Sequence, residues 1–172
     1  MPFLRVDAYE GRSKEQVKEL LDAIHRAILS AFGVPLRDRY QVYQEHSESN
    51  FIVQDTGLGI DRTKNVVFIG ITSRQRTEEQ KTNLYTKLVE ELKACDIVQS
   101  DIVVSIVTNS DADWSFGNGR AQFLTGELCQ TVEFDVMVAE RRGQVIAVEL
   151  EATGYAGRWH EPVDTRVSRP VL

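Results

Sequence analysis

The sequence has few of the residues that form disulfides or bind metals. It contains only two cysteines, Cys95 and Cys129, in 172 residues, which is too few for a disulfide framework. Neither has a second cysteine or a histidine at metal-ligand spacing, so a structural zinc site is not expected. The three histidines, His25, His46 and His160, lie far apart and outside any recognisable hydrolase or metalloprotease motif. The sequence therefore gives no support to metal-dependent or hydrolase chemistry.

Positive charge and long apolar runs are also scarce. Lys and Arg number 20 against 26 Asp and Glu, which gives a net charge of -6. Phosphate backbones and anionic membrane surfaces repel such a chain, so neither nucleic acid nor a membrane is an expected partner. No segment approaches the ~18 apolar residues of a membrane span, and the start of the chain is charged throughout, without a signal-peptide core. We expect a cytoplasmic protein.

What the sequence does contain is an internal repeat. The string RSKEQ at residues 12–16 returns 64 positions later as RTEEQ at residues 76–80. In each string a Ser or Thr stands three residues before a Gln, a capping box that satisfies the free N–H groups at a helix start. Apolar residues then recur at helical spacing in both copies. Each copy therefore predicts one amphipathic helix.

Apolar segments flank both predicted helices. They lie at residues 2–9 and 39–44 in the first copy, and at 65–73 and 101–107 in the second. Each copy is thus a β-α-β unit, and the pair predicts an α/β (α+β) fold with a four-stranded mixed sheet and both helices on one face. The other face is left uncovered and apolar. This favours a homo-oligomer, although solvent or the C-terminal segment are alternative neighbours for that face.

The chain is long enough to form one compact domain with an appendage. We predict that the domain spans residues 1–130 and contains repeat units at about 2–62 and 65–128. Between the units the sequence indicates a connecting loop with a short strand-like stretch at residues 51–53. The glycines in this loop fit no phosphate-binding fingerprint and indicate a turn.

Residues 131–172 are predicted to be a C-terminal extension of unknown role. Apolar residues alternate with polar ones on both sides of a turn signal at residues 142–144, a pattern typical of a β-hairpin. Beyond Gly154 the lack of periodicity favours disorder.

Pro2 is the first candidate for a reactive group. Removal of Met1, which is expected before a small second residue, would make Pro2 an N-terminal secondary amine. An α-amino group has a pKa near ~8, so its surroundings can select an acid, a base or a nucleophile. The structural alternative is a proline that merely starts a strand.

Arg74 and Arg76 form a second candidate site at the end of the equivalent strand of the second copy. In extended backbone, residues two apart project to the same face, so the two guanidinium groups can hold one carboxylate. The first repeat has Glu10 at the position of Arg74, so only one end of the molecule carries the cation pair. The structural alternative is that Arg74 and Arg76 are solvent-exposed residues of the segment that leads into the second helix.

An N-terminal proline ahead of a doubled β-α-β unit resembles the tautomerase superfamily, which includes the 4-oxalocrotonate tautomerase group. The chain is most similar to the malonate semialdehyde decarboxylases of that superfamily, over about residues 2–128. The shared motifs are FGVP at 32–35, DRY at 38–40, DTGLG at 55–59, SRQR at 73–76, EEQ at 78–80, NSDADWSFG at 109–117 and FLTG at 123–126.

The resemblance implies a homotrimer that decarboxylates malonate semialdehyde (3-oxopropanoate) to acetaldehyde and CO2 without a cofactor. It implies that Pro2, Arg74 and Arg76 are catalytic and that Asp38 orients Pro2 or activates water. Since Asp38 has a repeat mate in Asp101, a structural role at the strand entry competes with this assignment. The resemblance also implies an apolar pocket wall that consists of Trp114, Phe116, Phe123 and Leu128. The structural alternative for these residues is ordinary loop packing or trimer contact.

Two other functions stay open from the sequence. One is a tautomerase or hydratase that acts on 2-oxo acids, with neutral Pro2 as the general base. The other is a non-catalytic trimeric scaffold. In the enzymatic interpretations the partner is a small 3-oxo or 2-oxo carboxylic acid.

Overall fold

The structure is a computed structural model that describes residues 1–130, 137–141 and 144–148. Two β-α-β units follow one another along the chain, as the repeat predicted. The elements are β1 (Pro2–Tyr9), α1 (Lys14–Phe32), β2 (Tyr40–His46), β3 (Val67–Arg74), α2 (Glu78–Leu92), β4 (Ile102–Asn109), α3 (Glu127–Gln130), β5 (Met137–Arg141) and β6 (Gln144–Val148).

Strands β1 to β4 form one mixed sheet in the order β2-β1-β3-β4. Within each unit the two strands are parallel, and the central strands β1 and β3 are antiparallel. Pro2 at the start of β1 therefore pairs with Ser73 near the end of β3. This arrangement confirms the predicted fold, and it brings the N-terminus of the chain beside the segment that carries Arg74 and Arg76.

Both helices begin where the capping boxes predicted. Ser13 Oγ accepts a hydrogen bond from Gln16 N, and Thr77 Oγ1 accepts one from Gln80 N. The Gln side chains return hydrogen bonds to the backbone N–H groups of their capping residues. Helix α1 ends at Gly33, which adopts the left-handed conformation at φ 58° that favours glycine.

The core lies between the helices and one face of the sheet. Alternate residues of β1 and β3 are buried against apolar positions of α1 and α2, as the two-residue period of a strand requires. The opposite sheet face carries exposed apolar side chains. These are Phe3, Tyr40, Val42 and Val107.

The strand-like stretch in the connecting loop does not form a strand, although its residues 51–53 are apolar. Phe51 instead stacks on the ring of His46 at 5.2 Å and meets Tyr9 edge-on at 5.1 Å. The apolar pattern therefore reflects an aromatic contact rather than strand pairing.

Strands β5 and β6 pair antiparallel, with Arg141 opposite Gln144, so the described part of the C-terminal extension contains the predicted hairpin. The prediction for residues beyond Gly154 lies outside the described residues. Among the described helices, none is both long enough and apolar enough to span a membrane.

Candidate active site

The terminal amine lies beside Asp38. The structure includes Met1, whose amino nitrogen is 3.4 Å from Asp38 Oδ2, and Pro2 is the next residue in the chain. Asp38 is only 4% exposed. Within the described residues neither of its carboxylate oxygens accepts a well-formed hydrogen bond, so the amine is the close polar neighbour of this buried charge.

The loop after α1 brings Asp38 to this position. Gly33 ends the helix, and the Asp38 N–H then donates to the carbonyl of Pro35 at 2.9 Å. A ring nitrogen of the buried His25, on α1, lies 2.9 Å from the carbonyl oxygen of Leu36. The His25 side chain thus ties α1 to the loop that carries the Asp38 carboxylate.

Asp101, the repeat mate of Asp38, has a different environment. It is fully buried, and its two oxygens accept hydrogen bonds from the N–H and the hydroxyl of Thr63 at 2.6 and 2.5 Å. Asp101 therefore anchors the chain entering β3. The two equivalent carboxylates therefore differ in hydrogen bonding. Asp101 accepts two hydrogen bonds, whereas Asp38 accepts none within the described residues.

Arg76 lies half-buried against the end of α1. Its Nε donates to Ser73 Oγ and its Nη1 to the carbonyl of Phe32, both at 3.2 Å. The guanidinium carbon also lies 4.6 Å from the Phe32 ring centre. These contacts hold Arg76 beside the strand that pairs with Pro2.

Arg74 takes a different direction from Arg76. Its Nε lies 2.5 Å from Asp111 Oδ1, and its Nη2 donates to Asp111 Oδ2 at 3.2 Å. The face of the guanidinium lies 4.5 Å from the centre of the Phe123 ring. Because β3 ends at Arg74 and Arg76 follows it, extended strand geometry covers only the first of the two residues. That the two guanidinium groups hold one carboxylate stays a prediction.

The electrostatics link these groups. Burial lowers the pKa of the terminal amine, and Arg76 and Arg74 lower it further, whereas Asp38 raises it. Burial raises the pKa of Asp38, against the opposing influence of the amine, Arg76 and His25. Burial, and then the positive charge of Arg74, lowers the pKa of Arg76. The amine, one carboxylate and two cations thus act on one another.

Aromatic rings cluster beside Arg74. Trp114 and Phe116 stack with centres 5.4 Å apart, and Phe123 meets Phe116 edge-on at 5.4 Å. Tyr40 packs against Phe116 at 5.9 Å. Three of the predicted wall residues are therefore in one cluster, while Leu128 is half-buried in α3 and its place in the wall stays a prediction.

Sequence reasoning missed four neighbours of the site. Tyr40 and Asp111 lie inside motifs that were recognised, but their contacts depend on loop geometry. Ser73 and Phe32 also lie inside recognised motifs, but only the hydrogen bonds that they accept from Arg76 show their place at the site. The available signal was membership of those motifs, which alone assigns no role.

The opposite, pseudo-equivalent end of the sheet carries a cavity of about 560 Å³ lined in part by Glu10, Arg12, His46 and Asn65. Arg12 there donates to the Asn65 carbonyl at 2.8 Å. Two differences separate this cavity from the candidate site. An internal backbone segment stands where the candidate site has the terminal amine, and Glu10 stands in place of Arg74. Among the described residues, no cluster of three His, Cys, Asp or Glu side chains could hold a metal ion.

Comparison with known proteins agrees with this geometry. A family model described as a tautomerase enzyme matches residues 2–60, and a second with the same description matches residues 38–117. The probable tautomerase YrdN of Bacillus subtilis (strain 168) is 52% identical over 129 residues, which make up 74% of this chain and all of the relative.

Two solved structures of malonate semialdehyde decarboxylases are also similar. One, described in terms of decarboxylase and hydratase activities, is 48% identical with a TM-score of 0.71 and covers 73% of this chain and 98% of its own. The other, the FG41 enzyme inhibited by 3-bromopropiolate, is 37% identical with a TM-score of 0.70 and covers 73% of this chain and 96% of its own. Together with the two-unit sheet and the terminal amine beside Asp38, these matches show that the chain belongs to the tautomerase family.

Proposed function

We propose that this tautomerase-family protein decarboxylates 3-oxopropanoate, with Pro2 as the reactive amine once Met1 is removed. The observation that carries the proposal is the isolated carboxylate of Asp38, 3.4 Å from the terminal amino group. A buried carboxylate without hydrogen bonds costs free energy, and such groups are concentrated at functional sites. The similarity to two malonate semialdehyde decarboxylases supports the same substrate class.

In the proposed reaction Arg74 and Arg76 hold the substrate carboxylate. Charge-assisted hydrogen bonds can fix it so that the C–C bond to be broken is aligned with the carbonyl π system. Trp114, Phe116 and Phe123 would exclude water from this region and strengthen the electrostatic interactions there. Leu128 is proposed to extend the same wall.

Pro2 would accept the electrons that CO2 leaves behind. In one form the protonated amine donates a hydrogen bond to the aldehyde oxygen, which develops negative charge as the C–C bond breaks. In the other form the Pro2 nitrogen bonds to the aldehyde carbon and water leaves. Loss of CO2 then converts the iminium ion into an enamine, and protonation and hydrolysis release acetaldehyde. In both, Asp38 stabilises the cationic amine.

A second candidate is a tautomerase or hydratase that acts on 2-oxo acids with neutral Pro2 as the base. Burial lowers the pKa of the Met1 amino group at this site. The same burial acting on Pro2 after removal of Met1 would favour this candidate, because a base must be unprotonated at the working pH. The tautomerase description of the relative YrdN favours it as well.

We also propose that the protein assembles as a homotrimer, as its family resemblance implies. The exposed apolar side chains on the sheet face opposite the helices support assembly, because monomers seldom leave such a face open.

The decisive experiment combines mass spectrometry of the intact N-terminus with assays of 3-oxopropanoate and 2-oxo acids. We expect a mass without Met1 and release of acetaldehyde. Pro2→Ala should lose most of this turnover, about 100-fold or more, because the secondary amine is gone. Borohydride treatment during turnover should add the mass of a reduced adduct only if the iminium route operates.

Glu10→Gln is the matched control, because Glu10 is the exposed repeat mate of Arg74 at the far end of the sheet. It should keep turnover unchanged. Full activity in Pro2→Ala would exclude Pro2 as the reactive group. Turnover of 2-oxo acids alone would establish the second candidate, and no turnover of either class would establish a non-catalytic scaffold.

A further inference from the structure

Arg74 is held on two sides in the structure. Asp111 contacts its Nε and Nη2, and the Phe123 ring lies against its face. Within the described residues, Nη1 of Arg74 has no hydrogen-bond acceptor. In Arg76 the nitrogen without a described acceptor is Nη2, because Ser73 and Phe32 accept hydrogen bonds from the other two nitrogens. One nitrogen of each arginine is thus left for a ligand.

Asp111 is itself fixed. It begins a short 3-10 turn, Asp111–Asp113, in which the N–H and hydroxyl of Ser110 both donate to Asp113 Oδ2 at 2.7 and 2.8 Å. After the turn, Trp114 Nε1 donates to Asn109 Oδ1 at 3.0 Å, at the end of β4. The carboxylate that contacts Arg74 therefore stands on a turn tied down at both ends.

Stability does not account for the Arg74–Asp111 pair. The two side chains are 45% and 41% exposed, and ion pairs that exposed contribute little to folding. The two-point contact does restrict the plane of the guanidinium, which a single contact would not. The Arg74–Asp111 pair therefore acts on the orientation of the Arg74 guanidinium.

We infer that Asp111 is a positioning residue, which fixes Arg74 so that its free Nη1 and the free Nη2 of Arg76 together receive the substrate carboxylate. This inference rests on the proposed function and assigns to Asp111 no contact with the reacting atoms. The opposite interpretation is that Asp111 occupies the place of the substrate carboxylate and competes with it.

The two interpretations predict opposite changes in Asp111→Asn. If Asp111 positions Arg74, the variant loses orientation, and KM for 3-oxopropanoate rises about fivefold to twentyfold while kcat changes less than about twofold. If Asp111 competes with the substrate, removal of its charge lowers KM. A fall in KM would therefore overturn the inference.

A double-mutant cycle separates positioning from a general role in the loop. In the Arg74→Lys background the planar fork is absent, so adding Asp111→Asn should change KM less than about twofold. The same rise in both backgrounds would overturn the inference. Glu127→Gln is the matched control, because it removes another carboxylate that pairs with an arginine, Arg120 at 2.8 Å. Its KM should stay at the wild-type value, and circular dichroism should show that all variants are folded.

The test also works without turnover. If the wild type does not convert 3-oxopropanoate, the proposed reaction fails, and the inference is then tested with 3-bromopropiolate, which carries a carboxylate and whose attachment mass spectrometry detects. The concentration giving half-maximal labelling should rise in Asp111→Asn by the same factor as expected for KM. A wild type that neither turns over the substrate nor is labelled would overturn the inference as well.

Discussion

Asp38 and Asp101 stand at the same position in the two repeat units but differ in hydrogen bonding. Both oxygens of Asp101 accept hydrogen bonds from Thr63. Neither oxygen of Asp38 accepts one within the described residues, and its neighbour is the terminal amine at 3.4 Å. The repeat thus contains the same residue once as a hydrogen-bonded structural anchor and once as a buried carboxylate whose close polar neighbour is the terminal amine.

This contrast predicts opposite effects on stability. We expect Asp38→Asn to raise the free energy of unfolding at neutral pH, by about 1 kcal/mol, because an amide is less costly to bury than an unsatisfied carboxylate. Asp101→Asn should lower it by about 1–3 kcal/mol, since an acceptor of two hydrogen bonds is lost. Urea unfolding of both variants measures the difference. Loss of stability in Asp38→Asn comparable to that in Asp101→Asn would mean that both carboxylates are structural.

The pH dependence of the Asp38 effect has a definite sign. Burial raises the pKa of Asp38 in the folded protein, so the folded state binds the proton more tightly than the unfolded state. The carboxylate therefore destabilises the fold above its folded pKa, and this penalty disappears below the unfolded value of about 3.9. The stability advantage of Asp38→Asn should be largest at neutral pH and shrink on acidification. Urea midpoints of both proteins between pH 4 and 8 test this, and an advantage that grows in acid would contradict it.

The pKa of Asp7 is shifted in the opposite direction from that of Asp38. Hydrogen bonds from Arg5 at 2.9 Å hold its pKa below the ordinary value, and His46 lies 2.6 Å away. A lowered folded pKa gives stability that is present above the unfolded pKa and is lost as pH falls through the folded one. Asp7→Asn should therefore destabilise the protein at neutral pH and approach the wild type in acid. Thermal unfolding at several pH values measures this, and a pH-independent loss would point to packing instead.

The elements that are determined locally could be predicted from the sequence. The capping boxes at Ser13 and Thr77 act within a few residues, so the helix starts were predicted correctly. The repeat also predicted two β-α-β units in one mixed sheet, in which the structure shows β1 and β3 to be antiparallel. That relation was enough to bring Pro2 close to the Arg74 segment.

The parts that depend on distant contacts could not be predicted. The sequence placed Arg74 and Arg76 in one candidate site, but it did not show that Arg76 donates to the Phe32 carbonyl or that Arg74 pairs with Asp111. Both contacts join residues that are far apart in the sequence, so their proximity follows only from the fold. The contacts of Phe51 with His46 and Tyr9 could not be predicted either, since the strand-like pattern at residues 51–53 does not distinguish strand pairing from aromatic packing.

Replacement of Arg76 by Lys should affect binding and stability together. The Arg76 fork donates to Ser73 Oγ and to the Phe32 carbonyl, and a lysine ammonium cannot reproduce both contacts and the packing over the Phe32 ring. We expect the free energy of unfolding to fall by about 1–2 kcal/mol and KM to rise. Arg74→Lys is the matched control, because its exposed ion pair predicts a rise in KM with little loss of stability. Equal losses of stability in the two variants would show that burial of Arg76 is energetically unimportant.

Deletion of residues 131–172 tests whether the extension belongs to the catalytic unit. The relative YrdN is matched over its whole length by about three quarters of this chain, and the two family models together cover residues 2–117. Among the described residues, the core and all the candidate catalytic side chains lie before residue 131. A chain that ends at Gln130 should therefore fold with a thermal midpoint close to that of the full chain and keep its turnover. Light scattering of the two proteins compares their assemblies. The mass divided by the mass of one chain gives the number of subunits. An unchanged number would leave the sheet face as the assembly surface, whereas a smaller number would show that the extension contributes to the contacts between subunits.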